Sequence, residues 1–219
     1  MKSRSLLIIT LALIGSVIVP SHAIAQGEQF GDKPYFLVAR DDMSDPTFQQ
    51  TVILMIPAPP QAAIVAGVII NKPTKARLDQ LFTQVPHLNH PEQTVYFGGP
   101  VEYETPLLME REDPGSDSTR LMGDLYATAD MNVIMKTLSH EWSVKDCRIY
   151  FGRAQWTPDQ LRGEIVQGAW DVAPAKPELI FADDPDRTWR SLVKESHERQ
   201  VRLDEGAGRS FELAFAPRL

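Results

Sequence analysis

Apolar residues along the chain fall in short runs broken by Pro, Gly and Asp, and the spacing inside each run separates strands from helices. Runs at Tyr35–Ala39, Thr51–Ile56 and Ala63–Ile70 are rich in apolar and β-branched residues and predict strands. The last two are joined by Pro57-Ala58-Pro59-Pro60-Gln61, which cannot continue a ladder because proline donates no N–H, so they form a hairpin. Thr74 is placed to cap a helix in which Leu78, Leu81, Phe82 and Val85 recur at spacings of three and four, ending before Pro86. Thr94–Phe97 reads as a strand closed by Gly98-Gly99-Pro100. Leu107–Glu110 and Thr119–Ala127 flank the turn signal Asp113-Pro114-Gly115-Ser116-Asp117 and predict a second hairpin. Met131, Ile134, Met135 and Leu138 have helical spacing behind a cap at Thr128 or Asp130, and Cys147–Gly152 returns as a strand.

Thr157-Pro158-Asp159-Gln160 combines a capping Thr, Pro at the first helical position and Gln three residues on, which predicts a helix over 158–168. Asp184-Pro185 opens another, with Trp189, Leu192 and Val193 on one side. Asp204-Glu205-Gly206-Ala207-Gly208 reads as a hinge, followed by a small edge strand at Phe211–Ala216. No internal repeat is present, and strands and helices mix without a βαβ period. The pattern predicts an α+β domain with mostly antiparallel pairing.

The N-terminus adds a compartment. Lys2 and Arg4 precede the fourteen-residue run Leu6–Val19, then Pro20 and Ser21 break it, and Ala23-Ile24-Ala25 places small residues where a signal peptidase reads. As a helix the run spans about 21 Å, short of the ~30 Å hydrocarbon core, so it predicts a leader cleaved before Gln26 and not a retained anchor. Gln26, not a cysteine, stands directly after the cleavage site, so no residue there accepts a lipid. The expected organisation is a signal peptide (1–25), a disordered lead-in (26–34), one folded domain (35–203) and a C-terminal tail (204–219), with the mature protein periplasmic or secreted.

Without Lys2 and Arg4 the balance is 20 basic to 29 acidic residues, a net charge of −9. With no run of Lys and Arg interleaved with aromatics, this charge opposes binding to nucleic acid. Cys147 is the only cysteine, so no intramolecular disulfide stabilises the fold, and its apolar neighbours predict a buried, inert thiol.

Four segments in order resemble the AlgH/YqgE family. They are Met43-Ser44-Asp45-Pro46-Thr47-Phe48, then Gly67-Val68-Ile69-Ile70-Asn71-Lys72-Pro73, then Tyr96-Phe97-Gly98-Gly99-Pro100-Val101, and last Gly152 to Trp156 with Pro158, Gln160, Leu161, Glu164 and Trp170. No single segment is specific, but their order and spacing across about residues 35–193 are. The family usually has Tyr and Gly where this chain has Arg153 and Gln155. The resemblance implies a compact single domain with a barrel-like or bifurcated sheet and flanking helices, mostly cytoplasmic members, and an association with the regulation of alginate production, without an assigned activity.

The residues carry several candidate chemistries. Gly98-Gly99 permits a turn with positive φ, or forms a nest of backbone amides for a phosphate or carboxylate. Asn71-Lys72-Pro73 ends a strand, with Asn71 bonding backbone or a ligand. Asp45 or Ser44 is a turn or cap group, and no nucleophile elbow surrounds Ser44. His87 and His90 lack the further ligands a metal site needs. Trp156 and Trp170 bracket the capped helix as core residues, or as an aromatic rim for a ligand. Arg153, in a loop expected at 153–156 between strand and helix, is a candidate anion contact.

The candidate binding residues are therefore Asp45, Asn71, Lys72, Gly98, Gly99, Arg153 and Trp156, with no catalytic residue, metal or cofactor indicated. The sequence points to a non-enzymatic binding or regulatory module of the cell envelope, its partner an unknown protein or a small anionic ligand. The alternative is a small hydrolase or transferase whose site forms where loops 43–48, 71–73, 98–101 and 152–156 converge. A DNA-linked regulator is suggested only by the family's name, against the charge and the leader.

Overall fold

A computed structural model of the chain describes residues 33–215. The expected leader (1–25) and residues 26–32 of the expected lead-in lie outside the described residues. The sheet begins with β1 (Tyr35–Ala39), β2 (Val52–Met55) and β3 (Val65–Ile69), an antiparallel meander whose second turn is the Pro-rich segment, as its lack of donors predicts. β4 (Pro73–Arg77) and β5 (Thr94–Phe97) pair antiparallel, on either side of the one-turn helix α1 (Leu78–Leu81). β6 (Val101–Glu110), β7 (Thr119–Met122) and β8 (Leu125–Thr128) follow, then helix α2 (Met131–Ser139). β9 (Cys147–Trp156) leads into helix α3 (Pro158–Val166), β10 (Trp170–Pro174), helix α4 (Pro177–Ile180) and the long helix α5 (Pro185–Phe215).

The strand order is β10-β1-β2-β3-β9-β6-β8-β7, with β4 and β5 joined to β9 off this path. The sheet forks at β9. One edge of β9 carries β6, while the other carries β5 in parallel at Tyr150 and Phe151 and β3 antiparallel from Ala154 to Trp156. Every other pairing is antiparallel. The architecture is a single α+β domain with a curled, bifurcated sheet.

Period-two alternation explains why the runs in β1 and β2 are apolar throughout: both faces are covered. Phe36 and Val38 join one core cluster with Ile180, Phe181, Leu192 and Val193 beneath α4 and α5. Leu37 and Ala39, pointing the opposite way, join a second with Leu161 of α3 and the indoles of Trp156 and Trp170. A third cluster lies between α2, the 78–85 segment and the start of β9, and contains Cys147. Burial pushes that thiol well above its ordinary pKa, as an inert core cysteine requires.

Several elements differ from the pattern-based expectation. Thr74 does not cap a helix. Its hydroxyl donates to Val95 O, and the segment pairs with β5 as strand β4 until Leu78. The helix is then one turn long, and the spacing of Leu78, Phe82 and Val85 reflects burial along a mostly irregular segment, with Leu81 41% exposed. The run Thr119–Ala127 is broken by a turn in which Gly123 has φ +51, and its second half, not its first, pairs with β6. Asp130 is the cap of α2, accepting from Asn132 N and Val133 N, while Thr128 closes β8. β9 does not stop at Gly152 but runs to Trp156. β10 and α4 carry too few residues to register as periodic. The expected hinge at 204–208 and strand from Phe211 are helix α5 through Phe215, Ala216 lying outside the described residues. Glycine inside a helix costs about 1 kcal/mol and does not end it without a proline or a cap.

Candidate functional site

The backbone crosses itself where β5 hands over to β6. Tyr96 and Phe97 pair with one edge of β9, Gly98 N donates to Phe151 O, and Gly98 O accepts from Ile69 N. The chain then passes over β9 at Gly152, so that Val101 pairs with Arg153 on the opposite edge. This crossing explains the glycines. A Cβ on Gly98 would stand 2.2 Å from Gly152 O, and one on Gly99, whose φ is +148, would stand 2.2 Å from the carbonyl carbon of Arg153. The pair is there for close approach of two main chains, and positive φ is needed at Gly99.

Beyond the crossing β6 leaves the ladder. Between the pairs Val101↔Arg153 and Pro106↔Phe151, residues 102–105 face the single residue Gly152. They arch outward and all four are exposed. Glu102 at the start of the arch has φ +51, a conformation that costs a non-glycine residue roughly 1–2 kcal/mol. Its carboxylate forms an ion pair with Arg153, and the two side chains are 44% and 41% exposed.

Under the arch lies a cleft with about 420 Å³ of empty space, partly open to solvent. Ile56, Val68, Pro106 and Leu107 form apolar walls continuous with the largest core cluster. Glu102, Thr105 and Arg153 line it as well and supply its charged and hydroxyl groups.

Of the expected binding residues, only Arg153 lines this cleft, with Gly98 and Gly99 building the crossing beside it. Arg153 does not lie in a strand-to-helix loop next to helix amides, because β9 continues past it and only Thr157 separates β9 from α3. Asn71 is 3% exposed and clasps the β1–β2 connection, accepting from Val52 N at 2.7 Å and donating to Gln50 O at 2.9 Å. Lys72 accepts from Phe97 N through its carbonyl and so holds the start of β4 beside β5. Asp45 accepts from Thr47 N in a local turn.

Trp156 is 3% exposed, packed against Phe48 and Trp170 with ring centroids about 6 Å apart, and its indole N–H donates to Glu164. Phe48 and Trp156 thus meet in the core; neither 43–48 nor 71–73 lines the cleft, and 152–156 reaches it only through Gly152 and Arg153. Glu102 and Thr105 were missed by sequence reasoning. The signal was Pro106 inside an otherwise strand-like stretch, a position that favours a bulge.

His90 sits edge-on against Trp142 and contacts its carbonyl at 3.0 Å, which fixes the 86–93 loop to the segment after α2. Among the described residues no group of three His, Cys, Asp or Glu side chains is placed to hold a metal.

Comparison with known proteins agrees with this geometry at the level of fold. The AlgH-like family model (DUF179) matches residues 36–199. A UPF0301 protein of Azoarcus sp. is 30% identical over 178 residues, covering 80% of this chain and 94% of the relative. One from Sphingopyxis alaskensis is 30% identical over 163 residues, covering 73% and 86%. The solution structure of the AlgH protein from Pseudomonas aeruginosa superposes with a TM-score of 0.60 at 24% identity, covering 87% of this chain and 96% of that one. A crystal structure of a Corynebacterium diphtheriae protein gives 0.61 at 24% identity, covering 75% and 86%.

Proposed function

The chain belongs to the AlgH-like family, and we propose from that premise and the cleft that it is a non-enzymatic, ligand-binding regulatory module of the bacterial cell envelope. The observation that carries this reading is the composition of the cleft. Its walls are apolar, and its one carboxylate and one guanidinium are occupied with each other. Such a site can recognise shape and charge. The four loops from which an enzyme site was expected do not converge on it: residues 43–48 and 71–73 do not line the cleft, and of 152–156 only Gly152 and Arg153 do, which favours a binding role over a hydrolase or transferase. The leader at 1–25 supports the envelope as the place of action.

A neutral apolar dye, N-phenyl-1-naphthylamine, tests the cleft. The wild type is expected to enhance its fluorescence, and Ala129→Trp, at an exposed lining position, is expected to abolish the enhancement. No enhancement by the wild type, or equal enhancement by the variant, overturns the proposal. For the compartment, protein from a periplasmic fraction should begin at Gln26 on N-terminal sequencing. An intact leader in the membrane fraction would contradict export.

A further inference from the structure

We infer that the cleft takes a small monocarboxylate with a short apolar chain, and that the ligand's carboxylate replaces that of Glu102 on Arg153. This rests on the cleft being the binding site, and adds the ligand's chemistry and the way it enters.

The two members of the ion pair are held very differently. Arg153 lies in the central strand of the fork, between Gly152 and Ala154, paired with Val101 and packed beneath the Gly99 backbone. Its main chain cannot move without opening the crossing. Glu102 lies on the arch, where residues 102–105 have left the ladder and are exposed, and it holds a positive φ that an unconstrained glutamate avoids. Glu102 is therefore the movable partner and Arg153 the fixed one.

An exposed pair of this kind is weak, since water and salt compete with both ends. Exchanging one carboxylate for another at Arg153 changes the electrostatics little. It also lets the arch relax, while an attached apolar chain gains burial against Ile56, Val68 and Leu107. The same asymmetry selects against other ligands. An amine would need Glu102 as its anchor and would leave the fixed guanidinium unpaired. A phosphate has no apolar part to cover the walls, and a divalent acid would bury its second charge against them.

Displacement of the bound dye at neutral pH by octanoate, 1-octanol and octylamine tests the inference. Octanoate is expected to compete at least tenfold better than either of the others. Arg153→Gln should weaken octanoate tenfold or more while leaving 1-octanol unchanged, and Arg153→Lys should retain part of the preference. Glu102→Gln, an exposed substitution that leaves the core intact, should tighten octanoate severalfold because the competing carboxylate is gone. If the dye binds but octanoate shows no advantage, or Arg153→Gln binds octanoate as the wild type does, or octylamine competes best, the inference fails while the cleft proposal stands. If a peptide with a free C-terminal carboxylate and an apolar last residue displaces the dye far better than octanoate, the small-acid assignment is wrong. If the dye itself does not bind, the failure lies with the cleft.

Discussion

At Gly99 two requirements coincide: a φ of +148 and the Arg153 main chain 2.2 Å from where a Cβ would stand. Gly168, which closes α3 with φ +78, has the first requirement and open space around it. The two separate strain from overlap. Gly168→Ala is expected to cost about 1 kcal/mol from φ alone, and Gly99→Ala roughly 2–4 kcal/mol because main chain, unlike a side-chain tip, cannot move aside. Denaturant melts of both variants check this, and equal losses would remove the crossing as the reason for the glycine. Glu110 is the other residue whose setting has a measurable consequence. It is 6% exposed at the end of β6, with the Thr137 hydroxyl 3.4 Å away, and burial pushes its carboxyl from about 4.5 up to about 7, with Glu112 and Asp113 adding to the shift. The folded state therefore binds a proton there more tightly than the unfolded state. The stability contributed by the neutral form is complete below about pH 4.5 and is lost as pH rises through about 7, up to about 3 kcal/mol from this group. Glu110→Gln should flatten that fall between pH 5 and 8, and an unchanged pH profile would place the titration elsewhere.

Elements were legible in the sequence where one local signal decided them, and illegible where a distant partner did. β1 and β5 have the bounds their apolar runs gave, and α3 starts at the Thr157 cap, which accepts from Gln160 N. β4 reads as the start of a helix because Thr74 and the leucine spacing are local, whereas its pairing with β5 depends on residues about twenty positions away. β9 reads as ending at Gly152 because glycine weakens a strand, and only the crossing chain reveals why this one continues. α3 shows how a local cap and a long-range clamp combine. Gln160 does not close a capping box; its amide donates to Glu164, whose other carboxylate oxygen accepts the indole N–H of Trp156 from β9 at 3.0 Å and of Trp170 from β10 at 2.9 Å. One carboxylate thus ties a helix to two strands beneath Phe48. Glu164→Ala leaves two buried donors unsatisfied and is expected to cost about 2–4 kcal/mol, against about 1 kcal/mol for Thr157→Ala. Tryptophan fluorescence followed through a urea melt measures both, and a Glu164 loss no larger than the cap's would mean that the indoles find other acceptors.

On the scale of the molecule, the family could be read from the order of its turns, but the cleft could not, because its walls come from Ile56 after β2, from β3, and from β6 and β9, segments spread over about a hundred residues. Of the candidate binding residues, Asn71 and Trp156 serve packing, and Arg153 alone lines the cleft. Net charge was legible in full, and the structure adds how it is distributed. Arg40, Arg77, Arg111, Arg153, Arg162 and Arg199 each have a carboxylate partner, with Asp171, Asp79, Asp124, Glu102, Asp159 and Glu195 in turn. Guanidinium groups neutralised in place cannot also neutralise phosphates, and non-specific binding to a duplex needs several free cations on one face to release counterions. With a net charge of −7 over the chain, approach to DNA is repelled at long range as well. The protein is therefore expected to show no retention of duplex DNA in a gel-shift titration to tens of micromolar at about 0.1 M salt, and no gain when salt is lowered modestly, since few counterions are there to release. Tight binding that weakens steeply with salt would mean that the paired arginines exchange their carboxylates for phosphates as a group, and the argument from charge would fall with it.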